Sequence, residues 1–246
     1  MTQLDGKTAL VTGGSRGIGA AIAKRLARDG AAVAITHSNA ADKADEVVAE
    51  IKTAGGKAVA IKADNRDPDA VRAAVEEVAT TFGAIDILVN NAGILSSAGI
   101  QDETLESFDR IVDVNIRGVF VAVQAALKYI PDGGRIITTG SCLAHKVSFP
   151  GISLYSMTKS ALIGFTRGVA RDLGPRGITV NLLHPGPTNT DMNPENGENG
   201  DAMRSLMAIK QFSRAEDTAG LVSWLASDEA RTVTGAEFTV DSGVNA

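Results

Sequence analysis

The sequence predicts one doubly wound α/β domain, a parallel sheet of seven strands with helices on both faces, and three observations carry that prediction. Seven short apolar runs recur along the 246 residues, they are mostly continuous rather than alternating, and helical patterns separate them as far as the C-terminus. Continuous runs suit strands covered on both faces. A sustained β-α-β-α order with no proline- or serine-rich linker keeps residues 1–246 in a single domain.

In chain order the strands are "KTALVTG" (7–13), "AAVAITH" (31–37), "KAVAIKA" (57–63), "DILVN" (86–90), "GRIITTG" (134–140), "GITVNLLHPG" (177–186) and "AEFTVDSG" (236–243). Between the second and third, "AADKADEVVAEIKTAGG" puts Ala44, Val47, Val48 and Ile51 on one helical face. Between the third and fourth, Asp67 is an N-cap, Pro68 opens the first turn, Val71, Ala74, Val75, Val78 and Phe82 form the apolar face, and Gly83 stops the helix. One segment departs from the alternation: residues 191–214 start polar and Asn/Gly-rich, then carry Met203, Leu206, Met207 and Phe212. A long insertion of this kind reads as a lid, over 191–213, with Met192 and Met207 as its candidates for touching substrate.

Composition narrows the function. With 44% hydrophobic residues, 22% charged residues and a net charge of −5, the chain has no basic excess to draw nucleic acid or an anionic membrane. The single cysteine, Cys142, excludes an intrachain disulfide, and His37, His145 and His184 show no metal-ligand spacing, so no metal is expected. No apolar run approaches the roughly 18 residues of a membrane span. These features fit a reduced, cytoplasmic setting without export or anchor.

"TALVTGGSRGIGAAIAKRLARDG" reads as strand, glycine-rich turn, helix. Gly13, Gly17 and Gly19 permit positive φ and close approach, so a pyrophosphate can rest against the amides opening the helix. The spacing is G-x-x-x-G-x-G rather than G-x-G-x-x-G. About twenty residues further on, where an adenosine ribose would meet the second strand, a carboxylate that accepts from a 2′-hydroxyl would be expected. The chain instead has His37, Ser38 and Asn39. Without the acid a 2′-phosphate is admitted, Arg16 supplies positive charge, and Ser38 and Asn39 supply donors, which favours NADP(H). The other reading is that the three residues only open the next helix, with Asp42 reaching back to the ribose of NAD.

Near the start of "LYSMTKSALIGFTRGVARDLG", Tyr155 and Lys159 stand four apart and share a helix face. A free phenol has a pKa near 10, too high for efficient proton transfer at neutral pH. An ammonium about 5 Å away, at an effective dielectric of about 20, favours phenolate by roughly 3 kcal/mol, or about 2 pK units. Ser141 ends the fifth strand, the end at which open α/β sheets place ligands, and its hydroxyl can bond a carbonyl or alkoxide oxygen. Ser148 and Ser153 compete for that role from the intervening loop. His145 and Phe149 in the same loop either line a substrate pocket or pack the loop, and Cys142 reads as a small buried residue rather than a nucleophile.

Together "TGGSRGIG", "NNAG" (90–93), "DVNIRG" (113–118), Ser141, "YSMTK" (155–159), "HPGPTNT" (184–190) and "VTGAEFTVDSG" resemble the short-chain dehydrogenase/reductases in order and spacing over essentially the whole chain. The resemblance implies a Rossmann-type fold and hydride transfer between a nicotinamide cofactor and a carbonyl or alcohol. It implies Tyr155 as general acid/base, Lys159 as its electrostatic partner and ribose ligand, Ser141 as the group that orients the carbonyl, and Asn115 as the holder of a relay water. It places Ser15, Arg16 and Ile18 with the glycines on the phosphates, and Asn91, Ala92 and Gly93 beside the cofactor, with Asn90 serving either ligand or sheet. Asp64 and Asn65 fall on the adenine, and Pro185, Gly186, Thr188 and Thr190 on the nicotinamide. A homotetramer is also implied, built through the helices after "DVNIRG" and around "YSMTK" together with the C-terminal segment.

Two functions are carried forward. The first is an NADPH-dependent reductase of a small ketone, aldehyde or 3-oxoacyl compound, reversible as an alcohol dehydrogenase. The second is a ligand-binding regulator on the same scaffold, because "ARDLGPRGITVNLLHPGPTNTDMNPENG" also resembles reductase-like biofilm-dispersal proteins described as binding cyclic di-GMP.

Overall fold

The computed structural model describes residues 3–246. Its strands are β1 (Thr8–Val11), β2 (Ala32–His37), β3 (Lys57–Lys62), β4 (Ile87–Asn90), β5 (Arg135–Thr139), β6 (Thr179–Pro185) and β7 (Glu237–Val240). They form one parallel sheet in the order β3-β2-β1-β4-β5-β6-β7. All seven expected strands are present, each within the run that predicts it.

The helices are α1 (Gly17–Arg28), α2 (Ala41–Thr53), α3 (Pro68–Phe82), α4 (Leu105–Val112), α5 (Gly118–Ala126), α6 (Ser153–Leu173), α7 (Gly200–Leu206) and α8 (Ala215–Ala226). A π-turn, Asp113–Arg117, joins α4 to α5. Two apolar cores sandwich the sheet. On one face α1, α2 and α8 bury Ile22, Leu26, Val47, Ile51, Val222 and Leu225 against Val11, Val33 and Ile35. On the other, α3, α5 and α6 bury Val75, Val78, Val123, Ala126 and Leu173 against Leu10, Leu88 and Ile136. Alternate strand residues thus feed opposite cores, which is why the strands read as continuous apolar runs.

Local chemistry sets the ends of these elements. The Asp67 carboxylate accepts from the N–H groups of Asp69 and Ala70 at 2.9 and 3.2 Å, Pro68 follows it, and Gly83 closes α3 at φ 90°. The strand order reverses between β1 and β4, whose neighbouring connections run to opposite sides of the sheet. A crevice opens at the C-terminal ends of strands at such a point.

Candidate active site

A cleft of about 840 Å³ occupies that crevice. β1 runs out at Val11, and the turn after it is folded by threonines: the Gly13 N–H donates to Thr36 Oγ1 at 3.2 Å, while Thr12 Oγ1 accepts from the N–H groups of Asn91 and Ala92 at 3.0 and 3.1 Å. The Asn91 amide donates to the Thr12 and Gly13 carbonyls, both at 3.1 Å. Gly13 and Gly17 have φ of 65° and 55°, and a Cβ on Gly19 would strike the Gly13 carbonyl and the Asn91 amide. The glycines are therefore required by backbone conformation and by close approach. No side chain caps α1, so its opening N–H groups face the cleft as an anion site.

Gly13, Ser15, Arg16, Gly17, Ile18 and Gly19 all line this cleft, and so do His37, Ser38 and Asn39 at the end of β2. His37 is buried with Nδ1 unpartnered. Arg16 is exposed, 3.9 Å from Asp191, whose carboxylate also takes Lys43 Nζ at 2.7 Å. Lys43 is a second cation that the sequence reading missed, because the chain fold alone brings α2 to the start of the 191–213 segment. Asp64 and Asn65 line the cleft as well. Hydrogen bonds from Arg66 hold the Asp64 carboxyl below its ordinary range, with burial working against them.

Asn91, Ala92, Gly93, Pro185, Gly186, Thr188 and Thr190 also line the cleft. Asn90 does not: its amide donates to Thr138 Oγ1 at 3.3 Å inside the sheet. A Cβ on Gly186 would fall on the Asp241 backbone, which accounts for the glycine after Pro185.

Ser141, Tyr155 and Lys159 meet on one wall. Lys159 is buried, its Nζ donates to the Thr139 carbonyl at 2.8 Å, and desolvation lowers its pKa to about 8. Nζ stands 5.7 Å from the centre of the Tyr155 ring. The expectation that this ammonium pulls the phenol down is corrected here: burial raises Tyr155, opposed by a hydrogen bond with Ser141 and reinforced by Cys142. Desolvation outweighs an ammonium that lies over the ring and is already committed to a carbonyl.

Asn115 belongs to the π-turn, an interruption common at functional sites. Its carboxamide is committed: Oδ1 accepts from the Ile94 N–H at 2.9 Å, and Nδ2 donates to the Ile94 carbonyl at 3.0 Å and to Thr158 Oγ1 at 3.1 Å. It ties the loop after β4 to α6, and a Cβ on Gly93 would sit 3.4 Å from both Asn115 Oδ1 and Lys159 Nζ.

The substrate candidates divide. Phe149 and Met192 line the cleft, as does Ser148, whose buried hydroxyl has no partner; Ser153 does not. Met207 is not a lining residue, because it packs at 1% exposure against Cys142, Phe212 and Val244. Met203 and Leu206 of α7 line the cleft instead. Their i, i+3 spacing marks a common face, the signal that would have found them. Cys142 is buried, and desolvation raises its thiol to about 11.

His145 is also turned from the cleft. Its Nε2 lies 2.8 Å from Glu237 Oε2, and His184 Nε2 lies 3.1 Å from the same oxygen. Two of the three histidines that sequence spacing scatters thus meet beside β7, with ligand atoms of His145, His184 and Glu237 within 4.8 Å of one another.

A glycine turn opening an uncapped helix and a Ser-Tyr-Lys wall, joined at a switch point of a doubly wound sheet, define a dinucleotide-dependent oxidoreductase scaffold. The family described as "Enoyl-(Acyl carrier protein) reductase" matches residues 13–245. A short chain dehydrogenase of Burkholderia cenocepacia J2315, solved in complex with NADP, superposes with a TM-score of 0.98 at 57% identity, over 99% of this chain and 100% of that one. The cyclic-di-GMP-binding biofilm dispersal mediator protein of Escherichia coli K12 is 44% identical over 100% of both chains. A versicolorin reductase of Emericella nidulans is 40% identical over 98% of this chain and 96% of its own. The chain belongs to the short-chain dehydrogenase/reductase family.

Proposed function

We propose that the protein is an NADPH-dependent reductase of a ketone, aldehyde or 3-oxoacyl carbonyl, reversible as an alcohol dehydrogenase. The observation that carries this reading is the convergence of Ser141, Tyr155 and Lys159 on the cleft that also holds the glycine turn. The residues present suit the cofactor: an uncapped helix opening for the pyrophosphate, and the unpartnered Nδ1 of His37 and Oγ1 of Thr139, both from residues lining the same cleft. Arg16 and Lys43 suit a 2′-phosphate, and the Burkholderia relative is described with NADP.

Bound NADPH would supply the hydride for the carbonyl carbon; the proton for its oxygen would come from the protein. Ser141 Oγ accepts from the Leu143 N–H at 3.2 Å and is hydrogen-bonded to Tyr155, so a substrate oxygen set between the two hydroxyls takes a bond from each. Tyr155, kept protonated by burial, is the donor of a proton to that oxygen. Lys159, largely charged below pH 8, stabilises the phenolate that remains. Asn115 keeps the loop of Gly93 and the helix of Lys159 in register. Phe149, Met192, Met203 and Leu206 surround the substrate, with residues 191–213 as its lid.

No helix among the described residues is long and apolar enough to cross a membrane, and a cytoplasmic site of action belongs to this reading. So does a homotetramer, supported by exposed Phe120 of α5 and Met157 of α6, with sedimentation as its check.

The second reading, a regulator that binds a cyclic dinucleotide, rests on the 44% identity to the Escherichia coli protein. NADPH oxidation measured against a panel of ketones, aldehydes and 3-oxoacyl thioesters, beside titration with cyclic di-GMP, separates the two. Turnover of a carbonyl upholds the reductase; tight cyclic di-GMP binding without turnover of any panel member overturns it.

A further inference from the structure

Ser141 stands two residues beyond the end of β5, where the sheet no longer holds it. The last rung of the ladder is the Gly140 N–H donating to the Leu183 carbonyl at 2.6 Å. One residue further, a side chain takes over. The imidazole of His184 is wholly buried, with Nδ1 3.2 Å from the Ser141 N–H nitrogen and 2.8 Å from the Ser141 carbonyl oxygen. It packs so closely on this peptide that a Cβ on Gly140 would lie 2.7 Å from Nδ1.

The far side of the ring is fixed as well. His184 Nε2 meets Glu237 Oε2 at 3.1 Å, His145 Nε2 meets the same oxygen at 2.8 Å, and Arg167 donates to Oε1 at 2.6 Å. The His145 and His184 rings meet edge to face at 4.8 Å. With Nε2 donating to Glu237, Nδ1 is an acceptor for the Ser141 N–H; with a proton on Nδ1 as well, the ring donates to the Ser141 carbonyl. In both states the carboxylate fixes the ring and the ring fixes the peptide.

The three donor atoms are close enough for a divalent ion. The Glu237 carboxylate, however, already faces the Arg167 guanidinium and both imidazoles, so its charge is met within the protein.

We propose that His184, held by Glu237, is a positioning residue that sets the Ser141 hydroxyl toward the substrate oxygen. The proposal rests on the reading of Ser141 as the group that orients the carbonyl. A hydroxyl displaced by an ångström at a reacting centre costs about 10²-fold in rate, so the lock acts on turnover rather than on cofactor binding.

The test uses the intact protein and three variants. His184→Phe keeps an aromatic ring, a larger one, and removes both nitrogens; His184→Asn keeps polar atoms near the position of Nδ1; Glu237→Gln keeps a hydrogen-bond partner without the charge. His184→Phe is expected to lower kcat about 10²-fold with its Kd for NADPH within about two-fold of wild type, and His184→Asn to recover about a third or more of wild-type kcat. Glu237→Gln is expected to fall between them. Amide hydrogen exchange at Ser141 is expected to quicken in His184→Phe and stay slow in His184→Asn, a readout independent of turnover. If His184→Phe does not fold, His184→Asn and Glu237→Gln carry the test. The proposal is overturned if folded His184→Phe matches wild-type kcat, if the His184 variants lose NADPH binding in step with kcat, or if Glu237→Gln leaves both kcat and Ser141 exchange at wild-type values. Stoichiometric zinc on the cluster, with activity lost on chelation, overturns it too. Should wild type reduce no carbonyl while Ser141 exchange follows the variants as expected, the reading of the active site fails and the lock stands.

Discussion

Lys159 Nζ donates to the carbonyl of Thr139 at 2.8 Å, tying a side chain of α6 to the last residue of β5. The bond sets the ammonium two residues before Ser141 and under Gly93, so the strand end, the loop after β4 and the catalytic helix share one fixed point. An ammonium held this far from water costs stability, and that cost gives the first prediction.

Desolvation lowers Lys159 from 10.5 to about 8. Between those values the unfolded chain binds more protons than the folded one, so stability rises with pH across the window, and below about 8 the penalty is felt in full. The shift corresponds to about 3 kcal/mol, less about 1 for the bond to Thr139. Lys159→Met is therefore expected to raise Tm at pH 7, to lose that advantage by pH 10, and to abolish turnover. Thermal melts at the two pH values check it; a lower Tm at pH 7 would contradict the sign.

Tyr155→Phe removes one hydroxyl from a half-buried ring. Turnover is expected to fall by about 10² to 10⁴-fold, the range for a lost general acid, while NADPH binding persists in a fluorescence titration. Loss of cofactor binding in this variant would contradict the assigned role.

Arg16 and Lys43 both face the Asp191 carboxylate, which they hold below its ordinary range, Lys43 foremost. Arg16→Ala is expected to raise the KM for NADPH by about ten-fold or more while leaving that for NADH near wild type, because charge-assisted bonds to a phosphate go and nothing aimed at a hydroxyl does. Lys43→Ala is expected to act in the same direction, less strongly. Asp191→Asn frees both cations and is expected to tighten NADPH. Initial rates with each cofactor measure all three; a strong NADH preference indifferent to Arg16 would sink the phosphate assignment.

The Cys142 thiol, raised to about 11 and buried, is almost wholly protonated at pH 7.5. Iodoacetamide is expected to leave the native protein unlabelled and to label it once denatured, since the thiolate is the reactive form. Mass spectrometry reads the outcome directly.

The sheet was legible because each of its strands must be apolar on both faces, and the glycine turn because Gly13 and Gly17 take φ values that other residues resist. Tyr155 and Lys159 were legible through helical spacing. What sequence does not carry is the meeting of residues far apart in the chain. His145, His184 and Glu237 lie on the loop after β5, on β6 and on β7, and Lys43 and Asp191 are 148 positions apart. Met207 went astray for a smaller reason: it follows the last turn of α7, so it points under the segment while Met203 and Leu206 face the cleft.

The π-turn at Asp113–Arg117 also has a bearing on how the sequence can vary. A turn closed i to i+5 holds one residue more than an α-turn, which rotates everything after it by about 100° around the axis. α4 before it buries only Ile111, whereas α5 after it buries Val119, Val121, Ala122, Val123 and Ala126. The two helices are one rod with a phase slip, and the slip lies where Asn115 leaves the rod to reach Ile94 and Thr158. Deleting a single residue there would restore a regular helix and swing either α4 or α5 off its face. The length of the rod between Ile111 and Val119 is therefore not free to change.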